Sequence, residues 1–401
     1  MPALLLFSST TTSAAMRHEV PLVIGDPLMF ADVDGRPAVL TSSLESDRIA
    51  AALPGVELLD WFDLGLWALV EDGLTRLDAE QEIVARAVAR LGIRDAVVPW
   101  DFPLATADRL RAGGVQVRVD DDVFADRRRV KAGAELAGVR AAQAAAHAAT
   151  ARCAELLAQA SVGDDGNLLR PDGEPLLAEH VRGELARTCA EHGASCPGGM
   201  IVASIRNGGG GHEPGSGPLP AGLPIQVDIF PRDEASGCWA DMTRTFVVGA
   251  PDAEHEPLIA DQERLVREAL EQARAAIAPG VTGRELHEAT CDLFEAAGWA
   301  TQRTGGDQEE GFHFSLGHGV GLEVHEAPPV GLSGREPLVA GDVLAIEPGL
   351  WDRRIGGVRL EDLILVTDDG ARTLTDFPYE LTPAAPAAPA APAAPAAPDA
   401  P

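Results

Sequence analysis

The chain has 401 residues, of which 46% are hydrophobic, and its 62 acidic side chains outnumber 32 basic ones to give a formal charge of −30. This length and apolar content exclude global disorder and predict two or three domains. The negative charge repels phosphate backbones, so nucleic acid is excluded as the expected partner. The 5 cysteines form no CxxC pair, which indicates neither a disulfide framework nor a cysteine zinc site. We therefore expect reduced thiols and a cytoplasmic location.

The amino-terminal part of the chain has the pattern of a small α/β domain. Its apolar run at residues 3–7 predicts a first strand, because no basic region precedes it and a signal peptide needs about 7–15 apolar residues. No stretch approaches the roughly 18 apolar residues that span a bilayer, so we expect no membrane partner. Strands are predicted at 38–41, 96–99 and 115–119, and a helix is predicted at 80–92. This alternation of strands and helices predicts an α/β domain over residues 1–128.

Residues 129–381 predict a larger α+β domain in which one pattern of elements occurs twice. Helices at 132–160 and 174–192 precede strands at 200–205, 224–230 and 239–248. Helices at 254–277 and 283–297 precede strands near 322–325, 343–347 and 358–366. Thr282-Gly-Arg-Glu285 has the capping-box pattern that opens the last of these helices. Residues 382–401 are an Ala/Pro repeat, which predicts an extended tail without a core, because proline at every third position forbids a helix.

Two acids lie on predicted strands that are joined by a turn. In the strand at 224–230, apolar side chains alternate with Gln226 and Asp228. Asp241 begins the next strand, where it shares a face with Thr243. Two carboxylates that face each other across a hairpin repel unless one keeps its proton or a cation lies between them. The pattern indicates either a cation site or an exposed polar hairpin face.

A glycine-rich segment, GHGVGLEVHE at Gly317–Glu326, contains His318 and His325. Its glycines permit close approach of neighbouring backbone. It is not the helical HExxH zinc motif, because glycines separate the two histidines and their spacing does not suit one helix face. Taken alone, His318 is interpreted either as a metal ligand or as an ordinary turn or core residue.

Two further acids lie on apolar strand patterns nearer the carboxyl end. Glu347 is the only acid of the strand at 343–347, and a proline follows it. Glu361 shares a predicted strand face with Arg359, so Arg359 offsets part of the local negative charge. Taken alone, each acid is also consistent with an ordinary surface position.

Together these positions supply four carboxylates and one imidazole, all on predicted strands, namely Asp228, Asp241, His318, Glu347 and Glu361. Oxygen-rich ligation with one nitrogen suits Mn²⁺, Co²⁺ or Zn²⁺, and the oxygen majority favours Mn²⁺. Four negative charges exceed what one divalent ion needs. Two ions about 3.5–4 Å apart, bridged by carboxylates, are consistent with this set.

The motifs VDIF, ADMTRTF, GHGVGLEVHE, IEPGLW and GGVRLEDLILV, in this order, make the chain resemble the pita-bread metallopeptidases. The resemblance is to the proline-peptidase branch, aminopeptidase P and prolidase, and it extends to about residue 381. It implies a creatinase-like domain at 1–128 and a pita-bread catalytic domain with a pseudo-two-fold repeat at 129–381. It also implies a homodimer and a metal-dependent exopeptidase that hydrolyses the Xaa-Pro bond in dipeptides or at the amino terminus of peptides.

The same resemblance implies roles for individual residues. Asp228 is implied to bind one metal ion, His318 and Glu347 the other, and Asp241 and Glu361 both. The ions would share a hydroxide that attacks the scissile carbonyl, with Glu347 as the proton acceptor. His212 and His325 are implied to bind substrate and to stabilise the tetrahedral intermediate or protonate the leaving nitrogen. Arg359 is implied to bind substrate, and Thr243 to orient Asp241.

The sequence departs from the family pattern at two places. The first two aspartates are 13 residues apart instead of the usual 11, and we expect the longer turn to leave the ligands unaffected. Many relatives carry a histidine four positions before the metal-binding histidine, where this chain has Phe314. Either a local bulge brings the adjacent His313 into the site, or this substrate contact is missing.

Other functions remain open on the sequence alone. A methionine aminopeptidase fits less well, because such relatives usually lack the amino-terminal domain. A creatinase-like hydrolase of a small C–N compound and a noncatalytic binding protein of the same fold are the alternatives from other classes. Intact metal ligands favour the peptidase over both. The pattern leaves undecided the preference for dipeptides or longer peptides, the physiological metal, the oligomeric state and the role of the tail.

Overall fold

The structure, a computed structural model, describes residues 2–131, 133–208, 212–306 and 310–383. Residues 384–401, which contain most of the predicted Ala/Pro tail, lie outside the described residues. The chain divides into two compact units. The first contains the residues up to Glu135 together with Ala235–Gly237, and the second contains the rest of the described chain.

The first unit has the predicted α/β character, and its strands form a six-stranded mixed sheet. Its strands are β1 (Ala3–Ser8), β2 (Leu28–Val33), β3 (Arg36–Thr41), β4 (Glu57–Asp60), β5 (Asp95–Val98) and β6 (Gln116–Val119). Its helices are α1 (Ala14–Glu19), α2 (Ser43–Ala52), α3 (Leu66–Glu71), α4 (Arg76–Arg90), α5 (Leu104–Ala112) and α6 (Asp121–Arg129). The strand order is β4-β3-β2-β1-β5-β6, in which β1 and β2 are antiparallel and β1, β5 and β6 are parallel.

Helix α4 shows how local sequence determines an element of this unit. Thr75 caps the helix by accepting a hydrogen bond from the Asp78 backbone N–H at 3.1 Å. Ile83, Val84, Ala87 and Val88, spaced three and four apart, are fully buried in the core beside the sheet. The predicted helix at 80–92 is therefore confirmed, with its start one turn earlier than expected.

From Gly133 onward the described chain has four α-helices and many short strands. The helices are α7 (Gly133–Ala158), α8 (Ala178–Glu191), α9 (Glu256–Ala276) and α10 (Gly283–Ala296), with a 3₁₀ turn at Ile205–Asn207. The first strands are β7 (Ser161–Val162), β8 (Leu168–Leu169), β9 (Ala194–Ser195), β10 (Met200–Ala203), β11 (Ile225–Ile229), β12 (Arg232–Asp233) and β13 (Met242–Phe246). The later strands are β14 (Gly317–Gly319), β15 (Glu326–Val330), β16 (Val343–Ile346), β17 (Gly349–Asp352), β18 (Gly356–Arg359), β19 (Asp362–Thr367) and β20 (Gly370–Thr373).

The predicted repeat of two helices followed by strands is confirmed. Helices α7 and α8 precede an antiparallel sheet of order β10-β11-β13, and α9 and α10 precede an antiparallel sheet of order β15-β14-β16-β19-β20. The capping box that opens α10 is also present, since Thr282 and Glu285 each accept the other's backbone N–H. Among the helices of the described residues, none combines the length and apolar character that crossing a membrane requires.

The strand predicted near 322–325 is wrong, because these residues form a bend between β14 and β15. The backbone groups of the bend have partners that a regular strand would not provide. The Trp239 backbone N–H donates to the Gly321 carbonyl at 2.7 Å, and its indole Nε1–H donates to the Leu322 carbonyl at 3.2 Å. Within the bend, the Gly321 N–H donates to the Glu323 carbonyl at 3.0 Å.

The predicted strand at 358–366 is interrupted in the middle. Strand β18 ends at Arg359 and β19 begins at Asp362, so Leu360 and Glu361 lie in a break between them. Each strand pairs with a different partner, β18 with β17 and β19 with β16 and β20. A change of partner sheet at this point explains why one apolar run becomes two strands.

Candidate metal centre

The first two predicted ligands lie on the hairpin of β11 and β13. The apolar residues Ile225, Val227 and Ile229 of β11 are fully buried in the core, so alternation turns Asp228 to the other face of the sheet. Asp241 directly precedes β13, and both carboxylate residues are 5% exposed. Part of the longer turn between them forms β12, which pairs with β9. The two acids therefore face the interior of the protein, and the hairpin face is not an exposed one.

His318 is the central residue of β14, between two glycines that the packing requires. A Cβ atom at Gly317 would lie 1.9 Å from the Ala345 carbonyl oxygen of the neighbouring strand, so no other residue fits there. The His318 Nδ1 lies 3.1 Å from the Gly319 carbonyl oxygen, and a proton on Nδ1 would leave the Nε2 lone pair free to bind a cation. Nε2 lies 3.7 Å from a carboxylate oxygen of Asp241 and of Glu347.

Glu347 and Glu361 lie next to strand ends. Glu347 follows β16, and its backbone N–H donates to the Leu316 carbonyl at 2.8 Å. Glu361 lies in the break after β18, where its N–H donates to the Thr243 carbonyl at 3.1 Å. The Thr243 hydroxyl in turn donates to the Glu361 carboxylate at 2.8 Å. The expectation that all five residues lie on strands is therefore corrected: Asp228 and His318 do, whereas the other three flank strands.

Arg359 places one positive charge among these carboxylates. Its side chain is 5% exposed and donates a short hydrogen bond to Asp228, and its Nε donates to the Thr243 hydroxyl at 3.1 Å. Its Nη1 also lies 3.6 Å from a carboxylate oxygen of Glu347. The expected offset of negative charge by Arg359 thus has a direct basis. One guanidinium still faces four carboxylates, so an excess of negative charge remains.

The protonation equilibria reflect this excess. Burial raises the pKa of the Asp241 carboxyl well above its usual range, and the Glu361 and Asp228 carboxylates raise it further. Burial, followed by the Glu347 and Asp228 carboxylates, raises the pKa of Glu361 in the same way. Burial also raises the pKa of Glu347 to about 7. It lowers the pKa of His318 to about 3, which keeps the imidazole neutral and able to donate a lone pair.

The side chains present fit divalent cations. Oxygen and nitrogen atoms of Asp228, Asp241 and Glu361 lie within 4.8 Å of one another, and so do those of His318, Glu347 and Glu361. Within the described residues, one carboxylate oxygen of Asp228 and one of Asp241 are buried without a hydrogen-bond partner. Buried unpaired carboxylate oxygens are costly, and a hard cation is their natural partner.

Two cavities, of about 750 and about 1030 Å³, border this group of residues. The first extends along α8 and β10, and the second along Phe314 and Trp351. The residues common to both cavities are His212, His318, His325, Glu347 and Arg359. The ring centroids of His318 and His325 are 4.1 Å apart and nearly perpendicular. His212 and His325 therefore line the same two cavities as the predicted ligands His318 and Glu347.

His212 lies at the start of a short segment that is fixed to α8 and β10. Arg182 on α8 donates through Nη1 to the carbonyl oxygens of Pro214 and Gly215, the latter at 2.8 Å. The Val202 N–H of β10 donates to the Pro214 carbonyl at 3.1 Å. Sequence reasoning missed Arg182, because an arginine on a helix has no local feature that marks a contact more than thirty residues away.

Phe314, at the position where the family resemblance implies a histidine, borders the larger cavity. Its ring packs edge-on against Trp351, with centroids 5.2 Å apart, and against Phe312, with centroids 4.9 Å apart. His313 borders the same cavity and its Nε2 lies 2.7 Å from the Glu310 carbonyl oxygen. Sequence reasoning also missed Trp351. Its indole packs so closely against Gly357 that a Cβ atom at Gly357 would lie 2.5 Å from the ring.

Comparison with known proteins identifies the family. The sequence profile of metallopeptidase family M24 matches residues 137–368. This chain belongs to metallopeptidase family M24. A protein of Mycobacterium tuberculosis named Probable dipeptidase PepE is 30% identical over 351 residues, which are 86% of this chain and 82% of that protein. An Xaa-Pro dipeptidase of Pyrococcus horikoshii is 39% identical over 142 residues, 35% of this chain and 37% of that protein.

The fold is shown by solved structures of related proteins. The Xaa-Pro dipeptidase from Bacillus anthracis superposes with a TM-score of 0.74 at 24% identity, covering 95% of this chain and 94% of that one. The predicted pita-bread fold is thereby confirmed. As an M24 member the chain is a hydrolase, a metallopeptidase, and its family implies divalent metal ions.

Proposed function

We propose that this M24 metallopeptidase is an exopeptidase that hydrolyses the Xaa-Pro bond. The observation that carries the proposal is the convergence of four carboxylates, three of them on buried residues, and a neutral imidazole, bordered by two cavities. Relatives named Xaa-Pro dipeptidase and Probable dipeptidase support the choice of a short peptide as substrate. From the sequence we retain manganese as the metal, a cytoplasmic location and a homodimer as parts of the proposal.

The five candidate ligands would divide between two metal positions. Asp228 would hold one ion, His318 and Glu347 would hold the other, and Asp241 and Glu361 would contribute to both. Two of the compact groups described above, which share Glu361, support this division. Bound ions would supply Lewis acidity and would lower the pKa of a reacting water.

The remaining chemistry belongs to side chains of the chain itself. Glu347, which borders both cavities, accepts the proton of the water that attacks the scissile carbonyl. His212 and His325 border both cavities, and they bind the substrate and stabilise the tetrahedral oxygen or protonate the departing nitrogen. Arg359 holds Asp228 and adds positive charge at the border of both cavities.

The proline preference rests on chemistry as well as on relatives. The bond to proline is a tertiary amide, so its nitrogen has no hydrogen to donate and its ring limits the backbone torsion. A peptidase for this bond needs space for the ring beside the reacting residues. The larger cavity offers such a space, and Phe314 and Trp351 give it an aromatic wall.

A dipeptidase without proline selectivity is the second candidate. It is favoured by the similarity to Probable dipeptidase PepE, which covers 86% of this chain and whose name mentions no proline. The two candidates share metals and mechanism and differ only in the substrate residue after the scissile bond.

Hydrolysis of matched peptides by the full-length protein tests the proposal. The protein is stripped with a chelator, reloaded with Mn²⁺, and given Leu-Pro, Leu-Ala and Leu-Pro-Ala. Metal-dependent cleavage of Leu-Pro well above Leu-Ala supports the Xaa-Pro proposal, and comparison with Leu-Pro-Ala shows the preferred length. Equal cleavage of Leu-Pro and Leu-Ala favours the general dipeptidase. If the metal-loaded protein cleaves none of the three peptides, both candidates are contradicted. The creatinase-like hydrolase and the noncatalytic binding protein would then be the remaining hypotheses.

A further inference from the structure

Arg244 lies on the face of β13 opposite to Asp241 and Thr243, and only 1% of it is exposed. A guanidinium has five N–H donors in a rigid plane, and here all five have an acceptor. Nε donates to the Pro378 carbonyl at 2.9 Å, Nη1 to the Thr243 and Glu361 carbonyls at 2.9 and 2.8 Å, and Nη2 to the Asp362 carboxylate and the Phe377 carbonyl at 2.9 and 3.0 Å.

These five acceptors come from three separate parts of the chain. One is β13, one is the break after β18 together with the first residue of β19, and one is a C-terminal strap, by which we mean Thr375–Leu381. The guanidinium carbon of Arg244 lies 4.6 Å from the ring centroid of Tyr379 in the strap. The Tyr379 hydroxyl donates to the second oxygen of Asp362 at 2.5 Å.

The C-terminal strap is fixed along its length. Near its start, the Thr375 hydroxyl accepts the Leu363 N–H of β19 at 2.9 Å. At its end, the Leu381 carbonyl accepts the Val247 N–H, next to β13, at 2.8 Å. The strap therefore joins the two strand regions that carry the candidate metal ligands, and Arg244 lies where all three segments meet.

We infer that Arg244 is a positioning residue for the candidate metal centre and that it acts through the backbone of Glu361. Glu361 lies outside regular strand structure, so its side-chain direction depends on how its peptide groups are held. Its N–H is bound by the Thr243 carbonyl and its carbonyl by Arg244, which also holds the Thr243 carbonyl. Arg244 thus fixes the residue proposed to contact both metal ions. This inference rests on the metal-binding role proposed for Glu361.

Arg244→Lys tests the inference with little loss of charge. A lysine keeps a cation opposite Asp362 but lacks the planar fork and has three donors instead of five, so it cannot serve all five acceptors. We expect the full-length variant, stripped and titrated with Mn²⁺ in a calorimeter, to bind the metal about 10–100-fold more weakly than the wild type, the range for residues that orient ligands. Arg152→Lys is the matched control, because Arg152 pairs with Glu184 on a helix surface and contacts no candidate ligand.

Thermal unfolding of the metal-free proteins separates a positioning role from a merely structural one. A lower melting temperature with unchanged Mn²⁺ affinity would overturn the inference, whereas weaker binding by a folded variant supports it. Should Arg244→Lys fail to fold, Tyr379→Leu serves instead, because it loosens the strap around Arg244 while leaving the Arg244–Asp362 pair intact. We expect it to weaken Mn²⁺ binding, and wild-type affinity in this variant would overturn the inference. If wild-type protein binds no Mn²⁺, the proposed metal centre itself fails.

Discussion

The two faces of strand β13 carry buried polar groups of opposite character. On one face Thr243, and Asp241 directly before the strand, point to the acidic cluster, in which four carboxylates surround one guanidinium. Within the described residues, some buried carboxylate oxygens of this cluster have no hydrogen-bond partner. On the other face Arg244 finds one acceptor for each of its donors. Unmatched buried charge is costly and indicates a site for a missing partner, whereas matched buried charge indicates structure. We call the face of Asp241 and Thr243 the binding face, and the opposite face, which carries Arg244, the supporting face.

The largest expected effect comes from removing a ligand on the binding face. Asp241→Ala should abolish peptide hydrolysis, because it deletes a carboxylate proposed to contact both metal ions. Turnover of Leu-Pro with saturating Mn²⁺ measures this, with Asp252→Ala as control, since the Asp252 side chain is 75% exposed. Near-wild-type turnover in Asp241→Ala would show that the binding face is misassigned.

Metal removal should affect stability as well as activity. A cation that binds the folded protein at a free concentration 100 times its Kd adds about 2.7 kcal/mol to the free energy of unfolding. Urea unfolding with Mn²⁺ and with a chelator measures this difference. Asp241→Ala should lose most of the metal-dependent gain. An equal gain in the variant would place the stabilising ion at a different site.

Thr243→Val tests the hydroxyl that supports the binding face. The hydroxyl donates to Glu361 and accepts from Arg359, so its loss should weaken Mn²⁺ binding by about 10-fold or more. Thr290→Val is a matched control, because the buried Thr290 hydroxyl donates within α10, to the Leu286 carbonyl. If both variants bind Mn²⁺ as the wild type does, the Thr243 hydroxyl does not orient the ligands.

The smallest effect is expected from a conservative change at Met242, a residue of the supporting face that, unlike Arg244, is not proposed to hold Glu361. Met242 is fully buried, with its sulfur 3.5 Å from the Gln143 side-chain nitrogen of α7. Met242→Leu conserves volume and should change the free energy of unfolding by less than about 1.5 kcal/mol, with unchanged Mn²⁺ affinity. A large loss of Mn²⁺ affinity in this variant, measured by calorimetry, would mean that the supporting face acts on the metal centre through its packing and not through Arg244 alone.

Much of the binding face could be predicted from sequence, because its signals are local. Asp228 interrupts an apolar strand pattern. Because a buried carboxylate without a partner is costly, such a position predicts a cation or a hydrogen-bond donor beside it. The glycines around His318 predicted a close approach of neighbouring backbone. In the structure the Ala345 carbonyl oxygen packs directly against Gly317, beside His318. The order of the motifs along the chain indicated the family, which no single position did.

The supporting face could not be predicted, because its contacts join distant parts of the chain. Arg244 bonds to Glu361, which is 117 residues away, and to Pro378, 134 residues away, and no local pattern encodes such pairs. The bend at 321–325 was missed for a related reason, since its backbone partners come partly from Trp239. The break at Glu361 depends on a change of partner sheet that a continuous apolar run does not reveal.

The number of metal ions bound per chain tests the assignment of the binding face most directly. Stripped full-length protein is titrated with Mn²⁺ while bound metal and Leu-Pro hydrolysis are followed in the same samples. We predict two bound ions per chain, with hydrolysis rising as they bind, and loss of both binding and hydrolysis in Asp241→Ala. Hydrolysis by protein that binds no metal, or two ions retained at full affinity by Asp241→Ala, would contradict the assignment.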